Sequence, residues 1–190
     1  KEILFAVRFS LVNNSESHGL YYSSQIGDFV DPNLRSLYSS TDTRKAMLDL
    51  RKPIGTQNQT ALKFFEEPTN NVVGTDFPVL RYADVLLMAA EAYARKASPD
   101  ENKAKTYLNM VRKRVNLSDV TSAGQTLVSD IWSERRLELA CEGHRFFDLV
   151  RTKQAATSMT GFVSGKHELF PIPQVEIDLA GGNWKQNPNY

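Results

Sequence analysis

Hydrophobic and polar positions alternate at the start of the chain. Ile3, Phe5, Val7, Phe9 and Leu11 share one face, which predicts a half-buried strand over 2–12. A polar stretch, Asn13 to Gly19, interrupts the pattern. Residues 20–30 are then aromatic and polar without a clear period. Asp31-Pro32 is suited to start a short helix with Leu34, Leu37 and Tyr38 on its apolar face. Thr41-Asp42-Thr43-Arg44 predicts a further helical turn or loop, Ala46–Leu50 and Leu62–Phe65 short strands, and 66–77 a loop.

From Pro78 the period becomes helical. The first long helix is expected to run from Pro78 to about Lys96, with Val79, Leu80, Tyr82, Ala83, Val85, Leu86, Leu87, Ala89, Ala90, Ala92 and Tyr93 around most of its circumference. Its polar stripe, Arg81, Asp84, Glu91 and Arg95, is narrow, so the helix must be covered on two sides. Ser98-Pro99-Asp100-Glu101 reads as a capping box, and Ala104, Tyr107, Leu108, Val111 and Val115 follow at helical spacing. So short a link makes the two helices antiparallel, the unit of a tetratricopeptide-like solenoid. No repeat recurs at the expected period of about 34 residues, so a single pair needs flanking helices to bury its faces.

Ser118–Gln125 is a linker. A third long helix is expected from about Thr126 to Glu142, with Leu127, Ile131 and Trp132 entering the core, then a shorter one from His144 to Thr152. Leu139, Ala140, Phe146, Phe147, Leu149 and Val150 supply apolar packing, and Gly143 is a left-handed stop or helix joint. Residues 153–168 read as a surface loop and Leu169–Pro173 as extended, because proline fixes φ and biases its predecessor to β. Gly181-Gly182-Asn183 ends a last turn, and Trp184–Tyr190 is an extended tail that docks back by its two aromatics.

Composition leaves this picture intact. With 41% hydrophobic and 24% charged residues in 190, there is enough apolar material for a core, and a net charge of +1 points to neither nucleic acid nor an anionic membrane. The longest apolar run, Val85–Ala90, is too short to span a bilayer. The single cysteine, Cys141, has no internal disulfide partner and reads as a small buried hydrophobe. The chain opens on Lys1 directly into a strand pattern. It is therefore expected to be the later part of a longer protein whose upstream part holds any targeting signal.

The densest chemistry lies between Glu134 and Arg151. At about 100° per residue, Glu134, Glu138 and Glu142 fall near one line of a helix. Arg135, Arg145, Asp148 and Arg151 continue the alternation of charge by threes. Carboxylates at i and i+4 stand about 5–6 Å apart at Cβ, near the roughly 5–5.5 Å spacing of retaining glycosidases. Glu138 and Glu142 could thus form an acid–nucleophile pair. The better reading is an ion-pair network, because nearby arginines favour both ionised forms whereas a catalytic acid needs a raised pKa.

Other chemistry is weaker. His18, His144 and His167 are far apart, no His-Glu-x-x-His occurs, and Cys141 with His144 lacks further ligands, so neither a metal nor a cofactor is expected. Gly161–Lys166 has one residue too few for a phosphate loop and no Ser or Thr after the lysine. Tyr21, Tyr22, Gln25 and Phe29 remain. Flat rings with hydroxyls and amides nearby suit sugars, whose ring faces are apolar and whose edges are polar. The plainer alternative, that these aromatics anchor the loop on the core, is the more frequent arrangement.

Several segments in order resemble one family. Glu2–Phe9, Asp42-Thr43-Arg44, Arg81-Tyr82-Ala83-Asp84 through Ala90-Glu91-Ala92, Leu108–Arg114, and Glu134-Arg135-Arg136-Leu137-Glu138-Leu139-Ala140-Cys141-Glu142-Gly143-His144-Arg145-Phe146-Phe147-Asp148-Leu149 are similar to elements of the SusD/RagB family. So are Phe170–Pro173 and Gln186-Asn187-Pro188-Asn189-Tyr190, where the family has glycine in place of Asn189; asparagine also tolerates the left-handed region. The resemblance implies a mainly α fold, with tetratricopeptide-like helix pairs, a loop-rich portion and a few short strands. Residues 1–190 would be one C-terminal domain lacking the N-terminal half. It implies a non-enzymatic, lipid-anchored protein at the extracellular face of the outer membrane. Such a protein binds a glycan or other nutrient and partners a TonB-dependent, SusC-like transporter. Arg81, Asp84, Glu91, Arg112, Glu134, Arg135, Glu138, Glu142, Arg145 and Asp148 would then be structural, with Tyr21, Tyr22, Gln25 and Phe29 the ligand-facing candidates. A helical-repeat scaffold that binds proteins in the cytosol, and a glycoside hydrolase using Glu138 and Glu142, are the alternatives.

Overall fold

The structure is a computed structural model. It describes residues 2–9, 32–48 and 76–190, with the backbone of the pairs 18–19, 50–51, 60–61 and 72–73. The chain divides into two compact units, Lys1–Gly143 and His144–Tyr190.

In the first unit, strand β1 (Ile3–Val7) pairs antiparallel with β6 (Phe77–Arg81), Val7 opposite Phe77 and Ile3 opposite Arg81, with irregularities on both sides of Phe5. The expected half-burial of β1 does not occur: Ile3, Leu4, Phe5 and Val7 are all exposed. The ribbon has only two strands, and its register shifts break the alternation that would segregate one buried face. Three further two-residue strands, β2 (His18–Gly19), β3 (Leu50–Arg51) and β4 (Thr60–Ala61), precede β5 (Val72–Val73); β2 pairs with β5 and β3 with β4. Residues 43–48 form a 3₁₀ turn where the start of a strand was expected, 62–65 lie outside the described residues, and β5 falls within the predicted loop.

Pro78 opens no helix. Helix α2 spans Tyr82–Arg95, and Phe77–Arg81 is strand. Proline biases Phe77 to extended backbone and removes one ladder donor, which an edge strand tolerates; both strands of a two-stranded ribbon are edges. The amide of Tyr82 donates to the Glu2 carbonyl at 2.7 Å, so the ribbon leads directly into α2.

Helix α3 (Glu101–Arg114) follows a short link. Its cap is Asp100, whose carboxylate accepts from the Lys103 amide at 3.1 Å, and not Ser98 as the capping box implied. Pro99 therefore precedes the cap. Helix α4 (Gly124–Glu138) completes the layer. Ala83, Leu86, Leu87 and Ala90 of α2 pack with Ala104, Leu108 and Val111 of α3 and Leu127 and Ile131 of α4 into one core. Each fully buried leucine or isoleucine there contributes about 1.5–3 kcal/mol. The small residues at 83, 90 and 104 let the helices approach closely. Trp132 stays half-buried, with the Arg95 guanidinium 5.6 Å from its ring centroid and its buried Nε1 without a hydrogen-bond partner.

Helix α1 (Pro32–Ser36) is shorter than expected. Leu37 is exposed, while Tyr38, beyond the helix end, is buried against Ala140 and donates its hydroxyl to the Leu137 carbonyl at 2.7 Å.

The second unit holds α5 (Arg145–Arg151), α6 (Ala155–Ser158) within the predicted loop, and α7 (Gln174–Leu179). Leu149 and Ala155 are buried, but Phe147 is 67% exposed against the expectation that it packs. Gly181 and Gly182 take left-handed φ after α7, as their position suggested. The tail docks mainly by amides. Gln186 brackets Ile172, accepting from its amide and donating to its carbonyl at 2.8 Å each, and Asn187 donates to the Phe170 carbonyl. Tyr190 adds a hydroxyl bond to the Leu169 carbonyl at 3.0 Å, whereas Trp184 remains exposed.

Candidate functional site

The strongest concentration of charge is inside the first unit. Asp42, Arg81, Glu134, Glu138 and Glu142 are each less than a tenth exposed. Ionised groups buried this deeply persist only when paired and hydrogen-bonded.

Local structure delivers them. The 3₁₀ turn after Asp42 brings Arg44 to three carboxylates: it holds both oxygens of Asp42 (Nη2 at 2.8 Å, Nε at 3.0 Å), and its Nη1 lies 2.7 Å from Glu134 and 2.9 Å from Glu138. Arg81 sits in the extended N-cap position of α2, so its side chain leaves the helix and crosses to α4. It forks onto Glu142 through Nε and Nη2, both at 2.7 Å. Its Nη1 reaches Glu138 at 3.0 Å and Glu2 at 2.6 Å, and Nη2 donates to the Glu138 carbonyl at 3.1 Å. The last turn of α3 supplies Arg112 to Glu134 at 2.9 Å and Arg114 to Glu138 at 2.5 Å. Arg135 of α4 reaches back to Asp84 of α2 at 2.6 Å, and Glu91 pairs with Arg95 at 2.6 Å.

The helix that was to carry all three glutamates ends at Glu138, and Glu142 arrives by a turn. Cys141 (φ 64) and Gly143 (φ 80) are both left-handed, and the Glu142 amide donates to the Leu139 carbonyl at 3.1 Å. This reversal aims Glu142 at Arg81. It also turns Cys141 outward, where it is exposed and not buried as expected.

Burial would raise the Glu138 pKa, but Arg114, Arg81 and Arg44 outweigh it and hold the carboxyl below its ordinary value. Burial likewise opposes the charges on Arg44 and Arg81. The carboxylates around them win and raise both above the ordinary guanidinium value. Burial pushes the Tyr38 phenol up despite Arg44 beside it. A carboxyl with a lowered pKa, buried and forked by guanidiniums, has no proton to give at neutral pH and no exposed face for a substrate. What the cluster can do is fasten the segment after α1, the start of α2 and the ends of α3 and α4 together.

Among the candidates named from sequence, Arg81, Glu134, Glu138, Glu142 and Arg112 meet in this network, and Asp84 and Arg135 form a neighbouring pair. Asp148 pairs with Arg151 at 2.7 Å in the second unit, where Arg145 begins α5. Tyr21, Tyr22, Gln25 and Phe29 lie outside the described residues. Sequence reasoning about sites passed over Glu2, Asp42, Arg44 and Arg114. All four lie in segments that resemble the family, but only the Asp-x-Arg spacing of 42 and 44 set an acid beside a base. Among the described residues no group of three or more His, Cys, Asp or Glu side chains could hold a metal, and no helix is long and apolar enough to cross a membrane.

A mainly helical scaffold closed by a buried arginine–carboxylate lock is the class that this geometry defines. The chain belongs to the SusD family, whose sequence model matches residues 51–167. A curated relative, SusD-like protein P2 of Formosa agariphila, is 29% identical over 61% of this chain and 26% of its own length. SusD-like protein P38 of the same organism is 39% identical over 45% of this chain and 18% of its own length. A laminarin-binding SusD-like protein has a similar structure, with TM-score 0.67 and 32% identity over 85% of this chain and 38% of its own. Surface glycan-binding protein A of Bacteroides thetaiotaomicron shares the fold at TM-score 0.73 and 23% identity, covering 100% of this chain and 52% of its own. The chain thus spans about a quarter or less of the curated relatives and about half of that structure.

Proposed function

We propose that this chain is part of a cell-surface protein that binds a glycan without cleaving it, in the bacterial outer membrane, and delivers it to a TonB-dependent transporter. The observation that carries the reading is membership of the SusD family together with similarity to a structure described as laminarin-binding. The state of the carboxylates supports the non-catalytic half of it. The two glutamates at glycosidase-like spacing in sequence are buried and held by arginines, with Glu138 kept ionised.

Recognition would rest on ring stacking and edge hydrogen bonds, for which Tyr21, Tyr22, Gln25 and Phe29 have the right chemistry. Calorimetric titration of the full-length protein with laminarin oligosaccharides, and with unrelated glucans as comparison, tests it. Binding is expected without release of reducing ends, and Tyr21→Ala/Tyr22→Ala should weaken it by about tenfold or more. Unchanged affinity in the double variant would remove those residues from the site. Steady sugar release, abolished in Glu138→Gln, would replace the binding reading by a hydrolase.

A further inference from the structure

In the second unit, His167 holds both backbone polar groups of Val163. The His167 amide donates to the Val163 carbonyl at 3.0 Å, and the Val163 amide donates to the imidazole Nδ1 at 2.9 Å. A backbone amide can only donate, so Nδ1 must present a lone pair. The ring is therefore neutral, with its proton on Nε2. Phe162 fixes its plane, edge to face, with 5.7 Å between centroids and 78° between planes. The Lys166 amide also donates to the Val163 carbonyl, at 3.2 Å, so one tight turn spans 163–167. Val163 is 53% exposed and His167 is half-buried, so solvent protons reach the ring without unfolding.

The turn that this bond closes is also a seat. Its Gly165 carbonyl accepts from the Asn189 side-chain amide at 2.9 Å, and Lys166 Nζ lies 4.7 Å from the centroid of the Tyr190 ring. Just beyond the turn, the Leu169 carbonyl accepts from the Tyr190 hydroxyl at 3.0 Å. Lys166, Glu168 and Tyr190 are the titratable groups of the turn and of the segment seated on it. Glu168 directs its carboxylate to the Gly165 amide at 2.8 Å. We propose that the His167 imidazole is an acid-sensitive latch, which on taking up a proton at Nδ1 opens the 163–167 turn and releases Asn189 and Tyr190 from it. A charged imidazole carries N–H on both nitrogens, so Nδ1 would face the Val163 amide donor to donor. The bond is then lost and the ring has to turn away. Imidazole ordinarily changes charge between pH 5 and 8, so the latch is shut at pH 8 and open at pH 5. Gln186 and Asn187 bond to Ile172 and Phe170 and not to the turn, so that anchor stays in place. No part of the latch requires a bound glycan.

Amide hydrogen exchange tests it, on the complete product of the reading frame that contains this chain and with no glycan present. Rates at pH 8 and pH 5 are each divided by the intrinsic rate at that pH. Protection over 163–167 and at Tyr190 is expected to fall by about fivefold or more at pH 5, the size of one lost hydrogen bond. Protection at Ile172 should be the same at both. His167→Asn puts an amide oxygen near the place of Nδ1 that takes up no proton in this range, so its turn should stay protected at both pH values. His167→Ala should leave the turn open at both. Equal wild-type protection at the two pH values would overturn the proposal. A pH response that survives in His167→Asn would assign the effect to Glu168 or another carboxylate and overturn it too. So would His167→Ala as protected at pH 8 as the wild type.

Discussion

Glu138 receives guanidiniums from Arg44, Arg81 and Arg114, three separate stretches of chain. Removing its charge leaves them facing a neutral amide in a buried site, so Glu138→Gln should cost about 3–5 kcal/mol at pH 7, read by denaturant unfolding. The pH dependence follows from the direction of its shift. The folded-state carboxyl has a pKa below its ordinary value, so its stabilisation is complete above the unfolded pKa of about 4.3 and is lost as pH falls through the folded value. The gap between wild type and Glu138→Gln should therefore shrink in acid and be constant near neutrality. A gap that widens in acid would contradict the assignment of Glu138 as the ionised centre of the network.

At the scale of elements, the boundaries depend on caps and edges. Asp100 caps α3 through its own carboxylate, and Asp100→Ala should cost about 1 kcal/mol. Ser98→Ala, at the position where sequence alone placed the cap, should stay within about 0.5 kcal/mol. Thermal melts of the two variants distinguish the caps. The apolar period located α2, α3 and α4 to within a few residues because each buries a face in one shared core. It failed at Pro78, where strand pairing overrode the helical pattern, and at β1, where alternation was present but Ile3, Phe5 and Val7 are exposed. Periodicity records which residues can share a face and carries no information on whether a partner exists for it.

For the whole molecule, two compact units carry different kinds of cohesion. The first has the apolar core and the charge network. The second is tied largely by backbone-directed amides, Gln186 foremost. Gln186→Ala should unpair the Ile172 amide and carbonyl and speed hydrogen exchange at Ile172, at a cost of about 1 kcal/mol. Exchange at Leu108, in the core of the first unit, should be unchanged. A matching rise at Leu108 would mean that the units unfold as one.

The family signature, the three long helices, the left-handed positions at Gly143 and Asn189, and the suspicion that the acids between 134 and 142 are neutralised were all present in the order of residues. The family signature is a resemblance carried by several segments in order, and the rest depend on local backbone preference or on spacing within one element. The identity of the neutralising partners was not present. Arg44, Arg81, Arg112 and Arg114 come to Glu134, Glu138 and Glu142 from across the fold, and Glu142 reaches them by leaving the helix it was expected to extend. Coulomb attraction selects whichever opposite charge the packing brings within reach, and that distance is set by how the helices stack.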